Sequence, residues 1–303
     1  MTTCREPGAG VDEWRVERVA AGVRAANPWD GSRPYRVISA ELAITPTVSV
    51  IIPALNEAAN LPHVFATLPT WIDEVVLVDG RSSDDTVAVA QRLHTAVKIV
   101  AQEGSGKGDA LLAGFAASSG DIIVTMDADG STSGSEIVQF VSALVAGADF
   151  AKGSRFACGG GSSDITAARR YGNRLLSGLV NLLFGTRYTD LCYGYNAFWA
   201  SHLDALALDC AGFEVEAVMN VRAAAIGLRV REVPSFELPR MHGTSNLRIL
   251  ADGWRITKVI VREWSAHRRA RRASCGTVPD SLARTGDHSA QPAAAAVAES
   301  VPS

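Results

Sequence analysis

Between Thr47 and Asp129 short runs of β-branched and apolar residues alternate with helical patterns. The runs are TVSVIIPAL (47–55), DEVVLVDG (73–80), VKIVAQ (97–102) and DIIVTMDAD (121–129). Helical spacing follows from Glu57 to Leu68, Asp84 to Leu93, Lys107 to Ala117 and near Ser135 to Val145, and DFAKGSRF (149–156) reads as a fifth strand. Runs this short and this continuously apolar must be buried on both faces, which an alternating strand–helix chain achieves only in a mostly parallel sheet. The expected fold class is therefore α/β, a largely parallel twisted sheet with helices on both faces. A chain of 303 residues, 47% hydrophobic and 20% charged, suits one such domain with peripheral ends.

Parallel sheets bind ligands beyond the carboxyl ends of their strands. Here those ends carry Asn56 and Glu57, Asp79, Glu103, and the pair Asp127 and Asp129. Alternation puts residues i and i+2 on the same face, so Asp127 and Asp129 repel each other. A lone Asp after a strand makes a turn or a helix cap. A pair at a ligand-binding edge fits a divalent cation, magnesium (Mg2+) or manganese (Mn2+), with sites left over for the oxygens of a diphosphate. The nearby EGSGKGD (103–109) matches neither phosphate-loop signature, because Gly108 follows Lys107 and Asp109 stands at the last glycine position. That argues against a P-loop kinase and a dinucleotide dehydrogenase. It leaves either a flexible turn or backbone amides that act with Lys107 near a phosphate.

The second half is less regular. AARRYGNRLLSGLVNLLFG (167–185) and GFEVEAVMNVRAAAIG (212–227) have helical patterns, RVREVPSFEL (229–238) is strand-like, and TDLCYGYNAFW (189–199) is polar and aromatic. Residues 1–45 read as an N-terminal extension in which VDEWRVERVAAGVRAA could form a surface helix, and residues 265–303 as a basic, then Ala/Ser/Pro-rich disordered tail. A net charge of -3 gives no reason to expect nucleic-acid binding. Five scattered cysteines without C-x-x-C spacing suit a reduced, cytoplasmic protein. No signal-peptide core opens the chain, and no segment reaches the roughly 18 apolar residues of a membrane span.

Six segments, VSVIIPALNE, EVVLVDGRSSDDT, GKGDALLAGFAASSGDIIVTMDAD, GSR, TDLCYGYNAF and RMHGTSNL, occur in the order found in family 2 glycosyltransferases. Over about Thr47 to Trp264 the chain resembles that family, most of all its dolichyl-phosphate mannose synthase group. The resemblance implies a GT-A fold over residues 46–264, a GDP- or UDP-sugar donor, a divalent metal, and inversion at the anomeric carbon. Pro53 and Glu57 match a segment that lines the nucleoside pocket, and Asp79 an aspartate that contacts base or ribose. Asp127 and Asp129 match the metal motif. Arg155, and Arg170 or Arg174, match cationic positions facing an acceptor phosphate, while Arg240 and Ser245 match a segment closing over the donor diphosphate. The chain departs from the pattern at Gly80 and Arg81, where the family often has a second aspartate or a glycine pair, and it lacks the C-terminal membrane helices of many members.

A hydroxyl acceptor needs a carboxylate base, whereas a phosphate acceptor needs only positioning. Asp190, Glu214 and Glu216 are the candidate bases, with Asp190 favoured for its apolar and aromatic neighbours. The expected activity is hexosyl transfer to an acceptor such as polyprenyl phosphate, the alternatives being a small soluble or saccharide acceptor. A sugar nucleotidyltransferase is the rival from another class, but the N-terminal loop it would need is absent from 54–60. Leu247, Leu250, Trp254 and Val261 stand at helical spacing before an Arg cluster, Arg268, Arg269, Arg271 and Arg272. Two readings fit, a core-packed helix with a basic tail or an interfacial helix peripheral to the inner face of the membrane. The oligomeric state is not legible.

Overall fold

A computed structural model describes residues 45–243 and 249–275. The expected N-terminal surface helix and Ser245 lie outside the described residues. The chain divides into two compact units, Met1–Trp264 and Ser265–Ser303. The first contains a seven-stranded sheet in the order β3-β2-β1-β4-β7-β5-β8. Its strands are β1 (Val48–Ala54), β2 (Glu74–Asp79), β3 (Lys98–Ala101), β4 (Ile122–Thr125), β5 (Phe150–Ser154), β7 (Asn196–Trp199) and β8 (Val230–Pro234). A separate two-stranded ribbon joins β6 (Gly161–Ser162) to β9 (Phe236–Glu237).

The first four strands pair in parallel, in the arrangement expected from their apolar runs. The polar-aromatic stretch supplies a strand that its pattern did not announce. β7 runs antiparallel to both β4 and β5 and joins them into one sheet. Residue alternation sends β1 to two cores at once: Val48, Val50 and Ile52 belong to one and Ile51 to the other. The first core lies under α1 (Leu61–Thr67), α2 (Thr86–Leu93) and α4 (Ile137–Val145). The second lies under α3 (Lys107–Ala117), α6 (Leu203–Leu206) and α7 (Val215–Ala225). A third cluster packs α5 (Ala167–Phe184), α7 and α8 (Ile249–Cys275), through Val180, Val221, Ile256 and Ile260.

Several helix boundaries shift by a few residues, and two of the shifts are informative. α1 begins at Leu61 rather than Glu57: Asn60 and Leu61 N–H both close a turn on the Glu57 carbonyl, at 2.9 and 3.1 Å, and Pro62, with no N–H, cannot donate the next bond. Pro62 then occupies the first turn, where its missing N–H is harmless. At the other end α8 continues to Cys275, so residues 265–275 are helical rather than part of a disordered tail, and the rest of that tail lies outside the described residues. Among the described residues no helix is long and apolar enough to cross a membrane.

Candidate active site

A cleft of about 870 Å³ opens at the carboxyl edge of the sheet. One wall is made by the ends of β1 and β2, through Pro53, Ala54, Leu55 and Gly80, with Glu57 beyond them. The loops after these strands are locked together. The Asn56 N–H donates to the Ser82 hydroxyl at 2.9 Å, and Asn56 Oδ1 accepts from the Ser83 N–H at 2.7 Å. Both loops place a non-glycine residue at positive φ, Asn56 at 57° and Arg81 at 65°. Asparagine tolerates that conformation, whereas arginine there is uncommon. Asp79 ends β2, but its side chain accepts from the Ser82 N–H and is not among the residues lining the cleft. The expected contact from Asp79 to base or ribose therefore has no support in this geometry.

Asp127 and Asp129 stand at the floor of the cleft, just beyond β4. Their repulsion is met by two side-chain cations. Lys107 Nζ, from the first turn of α3, lies 2.6 Å from Asp127 Oδ1 and 2.6 Å from Glu216 Oε1 on α7. Arg240 lies 3.1 Å from Asp129 Oδ2 and 3.0 Å from Glu57 Oε1. Burial opposes the Lys107 charge, but Asp127 and Glu216 outweigh it and hold the ammonium well above its ordinary pKa. Burial raises the Glu216 carboxyl, with Lys107 pulling the other way. Lys107 lines the cleft with its ammonium shared between Asp127 and Glu216, so its contact to a phosphate stays an expectation. Gly194 makes the cluster possible: a Cβ there would stand 2.6 Å from Lys107 Nζ and 3.1 Å from Glu216 Oε1.

Asp127 and Asp129 remain partly open to the cleft, with side chains 31% and 17% exposed. Among the described residues no group of three or more His, Cys, Asp or Glu side chains is gathered to hold a metal. A pair of hard oxygen donors facing a cleft suits magnesium or manganese, which takes one or two carboxylates and completes its shell with water and phosphate oxygens. The donor set fits such an ion.

The opposite wall corrects the candidate base. Asp190 is fully buried, does not line the cleft, and is gripped by Arg155, whose Nε lies 2.7 Å from Oδ2 and Nη2 3.0 Å from Oδ1. Burial alone would raise its pKa, but the Arg155 hydrogen bonds and charge hold it below the usual carboxylate range. The apolar neighbours that suggested an acceptor site in fact bury the group. Arg155 also meets Glu237 at 3.1 Å and still lines the cleft. Glu214 does not line it: its Oε1 accepts from the Gly212 N–H at 3.3 Å, and Arg255 approaches Oε2 at 4.0 Å. Of the three candidate bases only Glu216 reaches the cleft, and it is bound to Lys107. Arg169, rather than Arg170 or Arg174, lines the cleft from α5, while Arg170 stacks 5.9 Å from Phe156.

Sequence reading missed Gln102, Arg169, Asn173 and Glu237, all of which line the cleft. Asn173 Oδ1 accepts from the Leu191 and Cys192 N–H groups at 3.1 and 3.0 Å, pinning the loop before β7 to α5. Asn173 is buried on the inner face of a helix that also carries Arg169, Arg170 and Arg174, so its pattern held no signal that set it apart. Cys192 borders the cleft with its thiol pushed up to about 12, chiefly by burial, so it carries no thiolate.

A family model described as glycosyl transferase family 2 matches residues 49–221. The polyprenol monophosphomannose synthase of Mycolicibacterium smegmatis is 31% identical over 239 residues, covering 74% of this chain and 89% of that protein. The undecaprenyl-phosphate mannosyltransferase of Micrococcus luteus is 32% identical over 220 residues, covering 66% and 87%. A crystal structure of glucosyl-3-phosphoglycerate synthase from Mycobacterium tuberculosis, in complex with Mn2+, uridine diphosphate and glucosyl-3-phosphoglycerate, has a TM-score of 0.59 at 23% identity and covers 78% of this chain and 86% of its own.

Proposed function

Because the chain belongs to glycosyl transferase family 2 and has the GT-A fold, we propose that it moves a hexose from a nucleotide-diphosphate sugar to the phosphate of a polyprenyl phosphate, inverting the anomeric centre. The observation that carries the acceptor class is the pairing of the cleft's carboxylates. Asp127 and Glu216 face Lys107, Asp129 and Glu57 face Arg240, and Glu237 faces Arg155. Asp164 lies 3.7 Å from Arg169, and Asp252 lies 3.2 Å from Arg255. A neutral hydroxyl would need a base to take its proton, and a carboxylate fixed against a cation is a poor one. A phosphate monoester is already a nucleophile and needs only to be held in line. The names of the two bacterial relatives point the same way.

In this reading the donor nucleoside lies against Pro53, Ala54, Leu55 and Gly80, with its diphosphate toward Asp127 and Asp129. Those carboxylates would hold magnesium or manganese, which when bound neutralises the diphosphate as it leaves. Arg240 sits beside the same carboxylates and would draw toward phosphate oxygens. Arg155, held rigid by Asp190 and Glu237, and Arg169 would hold the acceptor phosphate on the far wall. Trp254 at 65% exposed and Tyr171 at 65% exposed stand outside near basic residues, a pattern suited to a cytoplasmic protein peripheral to a membrane.

The test incubates the chain with UDP- and GDP-hexoses and three acceptors: a short polyprenyl phosphate, the matching polyprenol and a small phosphorylated metabolite. Nucleoside diphosphate release coupled to a polyprenyl-phosphate sugar, with none on the polyprenol, is expected. Equal transfer to the neutral alcohol would overturn the acceptor class, and transfer to the small metabolite alone would replace the lipid.

A further inference from the structure

We propose that Gln102 selects the base of the donor nucleotide, its side-chain carbonyl accepting the ring N–H of a lactam base, uracil or guanine, and rejecting cytosine and adenine. The inference rests on the nucleotide-sugar reading and assigns that site a specificity residue.

Gln102 follows the last residue of β3, is 7% exposed, and lines the nucleoside side of the cleft. Its Nε2 donates to the Gly106 carbonyl at 2.8 Å. A carbonyl can only accept, so the amide cannot turn over without losing that bond, and its nitrogen is fixed toward the loop. The oxygen is therefore fixed on the other side. It lies above Gly80, where an added Cβ would be 3.1 Å from Oε1, 3.3 Å from the Ala54 carbonyl and 3.4 Å from Leu55 Cβ. No described group donates to that oxygen. The loop bearing Gly106 is itself held, because the Gly104 N–H donates to Asp109 at 3.0 Å and the Arg81 guanidinium donates to the Gly104 carbonyl.

The wall's own amides are already committed. The Gly80 N–H is bonded to the Ala54 carbonyl at 2.8 Å, and the Gln102 N–H to the Asp79 carbonyl at 2.9 Å. The slot between Gly80, Ala54 and Leu55 thus offers a base one fixed acceptor, the Gln102 oxygen, and neither of those N–H groups. Uracil at N3 and guanine at N1 bring a proton to such a lone pair. Cytosine at N3 and adenine at N1 bring a second lone pair, leaving two buried acceptors opposed. Their exocyclic amines lie one atom farther along the base edge, so using them requires the base to slide within the slot.

Calorimetric titration of the full chain with UDP, CDP, GDP and ADP, in magnesium, tests this. UDP should bind at least about tenfold tighter than CDP, and GDP at least about tenfold tighter than ADP, the loss expected when a buried acceptor goes unpaired. The tighter of UDP and GDP identifies the donor. In Gln102→Met, which keeps side-chain length without the carbonyl, both ratios should fall toward one while thermal unfolding shows the variant folded. A loss of fold would weaken both members of each pair alike, so the ratio separates recognition from structure. Ratios near one in the unaltered chain, or ratios unchanged by Gln102→Met, overturn the assignment. Should that variant not fold, Gln102→Leu takes its place under the same two criteria. Binding of none of the four would instead overturn the nucleotide-sugar reading.

Discussion

Replacing Lys107 by methionine should damage the protein before it damages the chemistry. The Lys107 side chain is 14% exposed, and its ammonium stands 2.6 Å from each of two carboxylates, of which the Glu216 side chain is 6% exposed. Without it, Asp127 and Glu216 face each other across Gly194 with no counter-charge. Removing one partner from a buried ion pair costs about 3–5 kcal/mol, much of it from the stranded charge. At about 2–4 °C per kcal/mol for a domain of this size, the melting temperature should fall by roughly 6–20 °C. Glu216→Gln in the same background removes the stranded charge and should recover at least half of the loss. The sign of the pH effect follows from Glu216, whose folded pKa lies above its unfolded value. A carboxyl shifted upward favours the fold when protonated and disfavours it as pH rises through the folded value. The deficit of Lys107→Met should therefore shrink as pH is lowered into the carboxylate range. Circular-dichroism melts of the single and double variants between about pH 4 and 8 supply the measurement. A single variant melting within about 2 °C of the parent chain, or a double variant no better than the single, would refute the view that the cluster is a charge balance.

Three further outcomes are expected. Asp129→Ala should lower transfer by at least about a hundredfold and abolish the response to added manganese while melting within a few degrees of the parent, because Arg240 keeps Glu57; full activity in chelator would contradict it. Asp190→Asn should cost about 3–5 kcal/mol near pH 7 by leaving Arg155 with only Glu237, and because the Asp190 pKa is depressed on folding the parent loses the same stability as pH falls below about 4, so the two urea curves should converge in acid; a constant gap would contradict the pairing. Trp254→Ala should reduce sedimentation with anionic liposomes, with high salt releasing the parent chain, while equal partition to neutral and anionic vesicles would argue for a soluble acceptor.

The strands were legible where their environment was uniform. β1, β2 and β4 are buried on both faces, so each had to be a continuous apolar run, and the same property forced the parallel pairing. β7 is equally buried but includes Asn196, and its approach holds Tyr193, Gly194 and Tyr195, each of which has a partner elsewhere. The Tyr193 hydroxyl meets Ser235 at 2.9 Å, and the Tyr195 hydroxyl donates to the Ser133 carbonyl at 2.9 Å. Polar atoms satisfied by distant residues leave no periodic trace. α8 packs on a face other than the stripe read from its pattern, since Ile256 and Ile260 enter a core while Trp254 and Val261 stay exposed.

The same reasoning explains why several charged residues of the cleft were legible and their partners were not. Chemical type and position at a strand end identified Asp127, Asp129 and Glu57, and the glycine-rich turn EGSGKGD drew attention to Lys107. What each does depends on its partner, and the partners are remote. Arg240 reaches Glu57 across 183 positions, and Arg155 reaches Asp190 across 35. Asp190 shows how the inference fails. An aspartate among apolar residues reads as an active carboxylate because a shifted pKa is what catalysis needs. The same surroundings are what a buried structural ion pair needs, and only the arginine at 2.7 Å tells them apart. With Asp190 fixed, Arg155 lines the cleft as a rigid guanidinium shared with Glu237. In the proposed reading, a rigid guanidinium on one wall and carboxylates suited to a metal on the other would receive two anionic substrates between them, a constraint on the acceptor that no single residue supplies.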